Sequence, residues 1–553
     1  MVDSILRGAM KFSRPQINPW NLSSIVLVTV LLAPILAVFF AASGNSGGLW
    51  SHLFETVLPH YVANTLILMI GVGAISLAFG VSSAWVVVRY DFAGCRTLEW
   101  MLLLPAAVPG YLIAYTYTDF LEFAGPIQGV IRDVFGWKSV RDYWFPEIRS
   151  MGGAMLVIGA VLYPYVYMMA RAAFLLTPAS LFEASALTGR NLFWSIGLPL
   201  ARPAIVAGLA LVMMETISDF GTVEFFAIET LTLGIFNVWL GMNNLAAASQ
   251  IAVVAFLFIL TLLTIEVMAR AKRRFTDTTR RAVSFRPTKQ KGWCSVACFG
   301  VCAFPVVVGF LIPVGVLLNF VLRGHSLDLT APIIDAALNT FVLASTVAAA
   351  VMISAAFLGF VGTFKGGPVL RRLTAIASVG YAFPGTILAI GVVTAGGAMD
   401  TGIALFFQDF LGISHGGWLT SGIGLVIVAC VVRFQAVGYG AVTAGLERLP
   451  PNLIEASRIL GRGFGESVRD VVVPMLRMSL LAGGLLVFVD VMKELPMTLL
   501  LRPFNFETLA TYVYQFAKDE LLEEAAVPAL MIIATGIIPV VVMNAALRRV
   551  TRG

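Results

Sequence analysis

Charge is what this sequence is shortest of. Only 12% of its 553 residues are Asp, Glu, Lys or Arg, against 59% that are hydrophobic, whereas soluble domains carry about 25% charge. A chain so composed is a polytopic membrane protein. Cysteine and histidine are scarce too. Five cysteines, an odd number, make no disulfide framework, and four histidines at 52, 60, 325 and 415 are too scattered for a ligand set. Cys294, Cys298 and Cys302 recur at i, i+4, i+8 on one helical face, a spacing open to a thiolate site. Buried cysteine ordinarily packs as a small hydrophobe, so no metal and no other cofactor is expected. There is no Gly-x-x-x-x-Gly-Lys-Ser/Thr phosphate loop, which excludes ATP hydrolysis by that route. A His-Glu-x-x-His helix is lacking as well, and the chain reads as no enzyme.

What is abundant is apolar runs long enough to cross about 30 Å of hydrocarbon as helix. About twelve are found, near 24–42, 61–87, 98–120, 151–175, 203–224, 249–269, 294–322, 337–361, 371–396, 418–438, 477–500 and 525–547. The first lacks a small-residue cleavage site of the usual kind and reads as a retained span. The net charge of +6 is no nucleic-acid signature, because the basic residues sit in alternate loops. Residues 270–291 hold nine Lys or Arg against Asp277 alone, while none lies between Trp20 and Arg89 or between Arg202 and Arg270. The positive-inside rule then puts both termini and the 270–291 connector in the cytoplasm. An even number of spans agrees.

The chain is also a duplication. An offset of 275 pairs Asn64-Thr65 with Asn339-Thr340, Pro109-Gly110 with Pro384-Gly385, Pro199 with Pro474, and Ala207-Gly208 with Ala482-Gly483. It also pairs Glu215 with Asp490 and Asp219 with Glu494, and at 278 Glu229-Thr230-Leu231 meets Glu507-Thr508-Leu509. The expected architecture is all-α, with two tandem six-helix repeats at 1–269 and 292–553, parallel about an axis along the membrane normal, joined by the basic connector.

Three sets of residues stand out within the repeat. The first is a polar island, Leu181-Phe182-Glu183-Ala184-Ser185-Ala186-Leu187-Thr188-Gly189, which returns as Leu453-Ile454-Glu455-Ala456-Ser457-Arg458-Ile459-Leu460-Gly461. Apolar residues at helical spacing make it a short amphipathic helix. The glycine allows a corner, and Pro199 or Pro474 can open the next membrane helix. The second set is the ionisable residues Glu215 and Asp219, then Asp490, Lys493 and Glu494. At 1.5 Å per residue, Glu215 and Asp490 lie about 20–25 Å in from those prolines. Charges at that depth face a bundle interior or a watery path, and the alternative to a path lining is an internal ion pair that fixes packing. The third set is Pro109-Gly110, Pro384-Gly385 and Pro496, which break the hydrogen-bond ladder of apolar spans and mark a shared bend or gate.

The paired polar islands resemble the coupling loop of permease subunits of bacterial ATP-binding cassette importers, a Glu-Ala-Ala stretch with Gly four residues further on and a downstream Pro. The second copy fits at full spacing, with Ser457 in place of the second Ala; the first is three residues shorter between Gly189 and Pro199. Asp219-Phe220-Gly221-Thr222-Val223 and Lys493-Glu494-Leu495-Pro496-Met497 resemble ferric-iron permeases with two fused halves. The resemblance implies a type I importer permease fold in the bacterial inner membrane. It implies two copies of an ABC ATPase docked through Glu183, Ala184, Ser185, Gly189, Glu455, Ala456, Ser457 and Gly461, and a periplasmic binding protein that delivers cargo. Iron(III) is the cargo that the resemblance implies; the acidic pairs suit a hard cation and equally an organic one. Thiamine, phosphonate, sulfate and polyamine permeases share the architecture. A proton-coupled secondary transporter is the other class, but it gives paired coupling loops no purpose.

Overall fold

A computed structural model describes residues 19–177, 191–271, 287–323, 330–365, 368–377, 380–411, 417, 420–447, 449–450 and 452–552. Among these, eleven helices are long and apolar enough to cross a membrane, and a bent pair brings the number to as many as twelve. The spans run Pro19–Ala42, Leu58–Arg89, the bent pair Cys95–Ala107 and Gly110–Phe135, Met151–Leu175, Phe193–Ser218 and Leu245–Ala271. The second set is Trp293–Leu322, Ala331–Phe364, Gly385–Leu411, Gly424–Leu446, Phe464–Met492 and Leu522–Arg552.

Several boundaries differ from expectation, each for a local reason. The fifth and eleventh spans, expected over 203–224 and 477–500, start earlier and stop at Ser218 and Met492. Pro199 and Pro474 do not open these spans. Each follows a π turn, at Phe193–Gly197 and Val468–Val472, that carries the helix through without a break. A proline offers no N–H and crowds the carbonyl four residues back, so the wider π turn takes the chain past it. The same arrangement recurs before Pro313, where the π turn is Val307–Leu311. The ninth span, expected over 371–396, is Gly385–Leu411, with Pro368–Ala377 a separate short helix. Pro384-Gly385 therefore begins a span and does not kink one. Pro109 sits extended at φ −61°, ψ 142° before the helix that starts at Gly110, and the two segments of the third span meet at 96°.

Close packing in each half rests on small residues, as expected where lipid supplies no hydrophobic drive. A Cβ on Gly80 would lie 2.8 Å from Val166, one on Gly208 3.0 Å from the Val166 backbone, and one on Gly483 2.6 Å from Ala441. Gly208 and Gly483 are repeat mates, so the duplicated Ala-Gly seats the fifth span on the fourth and the eleventh on the tenth. Asn64-Thr65 and Asn339-Thr340 are explained in the same way. Asn64 Nδ2 donates to the Glu229 carbonyl at 3.0 Å, and Asn339 Nδ2 to that of Glu507 at 3.0 Å. The N–H groups of Leu231 and Leu509 donate to Thr65 and Thr340 at 3.0 and 2.8 Å.

The first span of each half packs on the other half. Pro19–Ala42 lies along Gly385–Leu411, where a Cβ on Gly391 would fall 2.0 Å from the Pro34 carbonyl. The seventh span lies on the first half, with a Cβ on Gly309 placed 2.4 Å from the Ala160 carbonyl and Tyr117 Oη donating to Val308 at 2.8 Å. Where the connector re-enters the described chain, Thr288–Lys289 forms a two-residue parallel pairing with Tyr90–Asp91, which ties it to the loop after the second span.

Candidate functional site

Both fifth-type spans end on an acid that caps the helix after it. Asp219 accepts from the backbone N–H of Thr222 and Val223 at 3.0 and 3.2 Å and from the Thr222 hydroxyl at 3.0 Å. The short helix Gly221–Phe225 follows. Glu494 accepts from the Met497 N–H at 3.0 Å, and Pro496 opens the helix Pro496–Leu501. Carboxylates at helix N-termini satisfy orphan N–H groups and the local dipole.

Each capped turn is pressed against one of the Pro-Gly breaks. A Cβ on Gly110 would sit 3.1 Å from Asp219 Oδ2, and one on Gly385 would sit 3.1 Å from Glu494 Oε1 and 2.6 Å from Arg433 Nη1. The duplicated acids and the duplicated Pro-Gly pairs, unconnected along the chain, are thus two sides of one contact. Across the centre, a Cβ on Gly221 would lie 3.1 Å from Leu495, so the two turns also approach each other.

Between them lies a cavity of about 140 Å³ lined by Glu215, Asp219, Asp490, Lys493 and Glu494, and by Pro109, Gly110 and Pro496. Pro384 and Gly385 are not part of that lining. Lys493 Nζ pairs with Asp490 Oδ1 at 3.0 Å, with both side chains about a quarter exposed. Sequence reasoning missed Arg433, in the tenth span, which pairs with Glu494 at 3.4 Å while only 8% of its side chain is exposed. An arginine inside an apolar run was the signal that could have found it. Tyr111, Tyr165, Tyr381 and Phe434 complete the polar and aromatic lining; nothing in their spacing marked them.

The second polar island is a helix, Leu453–Ile459, followed by Gly461 at φ +86° and a helix starting at Phe464. That backbone angle favours glycine. Ser457 Oγ and Ser467 Oγ, both buried, lie 2.9 Å apart and join the two short helices. Leu453 and Val468 pack on a small core of Phe360, Val442, Leu446, Val472 and Leu476. Glu455 and Ala456 are exposed, and Ile459 and Leu460 show 86% and 81% of their surface. The helix thus presents an uncovered face, apolar with an acid at its start. Glu183, Ala184, Ser185 and Gly189 lie outside the described residues. Of the three cysteines, Cys294 is exposed and Cys302 buried, and no group of three or more His, Cys, Asp or Glu suited to a metal occurs among the described residues.

Residues 353–553 match the family described as binding-protein-dependent transport system inner membrane component. With its many apolar helices and its repeated, acid-capped breaks, the chain is similar to the membrane-embedded permeases of binding-protein-dependent transport systems. It is 23% identical over 502 residues to the Fe(3+)-transport system permease protein FbpB 2 of Haemophilus influenzae, covering 89% of this chain and 91% of that one. The ferric transport system permease protein FbpB of Actinobacillus pleuropneumoniae is 22% identical over 89% of this chain and 74% of its own length. A probable sulfate transport system permease protein of Chlorokybus atmophyticus is 29% identical over 38% of this chain and 71% of its own.

Proposed function

We propose that this chain is the complete transmembrane channel of an iron(III) importer, both halves fused, and that ATP hydrolysis by a partner drives it. The observation that carries the reading is the central cavity. The five ionisable residues of the two fifth-type spans line it together, at the point where helices from both halves break. Four acids against Lys493 and Arg433 leave the lining formally negative, which favours a cation over the sulfate named for some relatives. The similar chains named for ferric transport extend over most of the length.

The exposed face at Glu455, Ile459 and Leu460 is the handle that an ATPase subunit grips, and residues 181–190 form the second one. Two handles on one chain set the stoichiometry at one permease to two ATPases, with a periplasmic binding protein at the opposite side. The handles, both termini and the connector face the cytoplasm. Glu215, Asp219, Asp490, Lys493 and Glu494 line the path, and the Pro109-Gly110, Pro384-Gly385 and Pro496 breaks let it open and close. Reconstituted complex should take up Fe(III) from its loaded binding protein when ATP is present, and sulfate, thiamine and polyamines poorly. Preference for one of those would reassign the cargo. Native mass measurement should give one chain per two ATPases; two chains per two ATPases would exclude the fused-channel reading.

A further inference from the structure

The two halves furnish the cavity unequally. Both cations come from the second half, and each already faces an acid of that half, Lys493 with Asp490 and Arg433 with Glu494. At the 275 offset their first-half counterparts are Ser218 and Ile158, which line the cavity without charge. The first half therefore brings two carboxylates and no cation. Asp219 is engaged by the three donors of its capped turn. Glu215, half-buried, has neither a hydrogen-bond donor nor a cation in pairing range among the described residues.

Two phenolic hydroxyls lie near that carboxylate. Tyr165 and Tyr381 line the cavity with hydroxyls within reach of each other. Tyr111, only 5% exposed, brings to the same lining a hydroxyl that has no partner. Buried polar atoms left unpaired are costly. A carboxylate among phenolic oxygens is a hard-donor set, which selects hard cations and offers little to soft ones.

We infer that Glu215, with the hydroxyls of Tyr165 and Tyr381, forms a relay site for a hard multivalent cation, built on the carboxylate of the cavity that has no paired cation. The second half's acids are committed to Lys493 and Arg433. The inference rests on, and deepens, the iron(III) reading. One free carboxylate suits a relay, since passage needs binding favourable enough to enter and weak enough to leave.

The test uses the full chain with its ATPase in proteoliposomes, supplied by its loaded binding protein, with Fe(III) and redox-inert Ga(III) as probes. Glu215→Gln should lower uptake of both by about tenfold or more, the scale of losing a contact to a charged group. Glu215→Asp should recover part of it. Tyr165→Phe combined with Tyr381→Phe removes two oxygens and no charge, and should lower uptake several-fold even if the Glu215 variant fails to insert. ATP hydrolysis stimulated by the loaded binding protein should continue in each inserted variant, since the handles are untouched. Parental uptake by inserted Glu215→Gln, or by the double Phe variant, overturns the site. Parental complex that carries sulfate and neither metal overturns the iron(III) reading itself, so the two failures are distinguishable.

Discussion

Arg433 shows what a single buried charge demands of its surroundings. Its guanidinium has one carboxylate at 3.4 Å, and its Nε and Nη1 find no hydrogen bond. Removing one member of a buried pair leaves the other uncompensated, at a cost on the order of 3–5 kcal/mol. Arg433→Gln should therefore lower the thermal unfolding midpoint of the purified chain markedly, and Arg433→Gln with Glu494→Gln should recover most of the loss. A single variant as stable as the parent would mean that the pair holds nothing together. At this scale the sequence was half legible. Mid-membrane position singled out the acids, because ionisable groups there are rare. Their partners stayed hidden, since Arg433 and Glu494 sit on different spans and nothing along the chain states which spans touch. Lys493 was the exception, lying three residues from Asp490 on the same stretch.

Elements were legible where chemistry is local. The Glu-Ala-Ser helix, its glycine corner and the helix beyond appear in the second half as the residue pattern implies, because spacing and a positive φ are properties of neighbouring residues. Gly461 stands at +86° with open space around it, so a side chain there is opposed by backbone strain alone, about 1–2 kcal/mol. Gly461→Val should leave insertion intact, tilt the handle, and let ATP hydrolysis run with little cargo uptake. Glu455→Lys should do the same by reversing charge at the proposed docking face. Tight coupling of uptake to hydrolysis in both inserted variants would remove this helix from the transmission path. Span ends were read less well. Apolar composition continues past Ser218 and through Pro384, and only the capping by Asp219 and Glu494 and the missing proline N–H stop the helices there.

At the scale of the molecule, the side away from the handle is closed by contacts between the halves. Glu224 Oε1 accepts from Tyr514 Oη at 2.7 Å and from Lys518 Nζ at 3.3 Å. Arg149 bridges Glu122 at 2.8 Å and Glu520 at 3.3 Å while lying over Phe225. The exposed Arg149 pairs contribute little to stability, which suits a contact that can part. Arg149→Cys with Glu520→Cys, on a Cys294→Ser background and joined by a short thiol-reactive linker, should stop uptake while unlinked protein transports. Uptake that survives linkage would show that the outer side opens elsewhere. The exchange of first spans between halves bears on how the protein is made. Pro34 leaves the ribosome about 350 residues before Gly391, roughly 20–70 s at ~5–20 residues per second. For that interval the opening helix has only the sixth span of its own half to pack on, and the first half stays incomplete until the seventh span is synthesised. Fusing the halves keeps each waiting helix tethered to its future neighbour, so assembly does not depend on two separate chains meeting in the membrane.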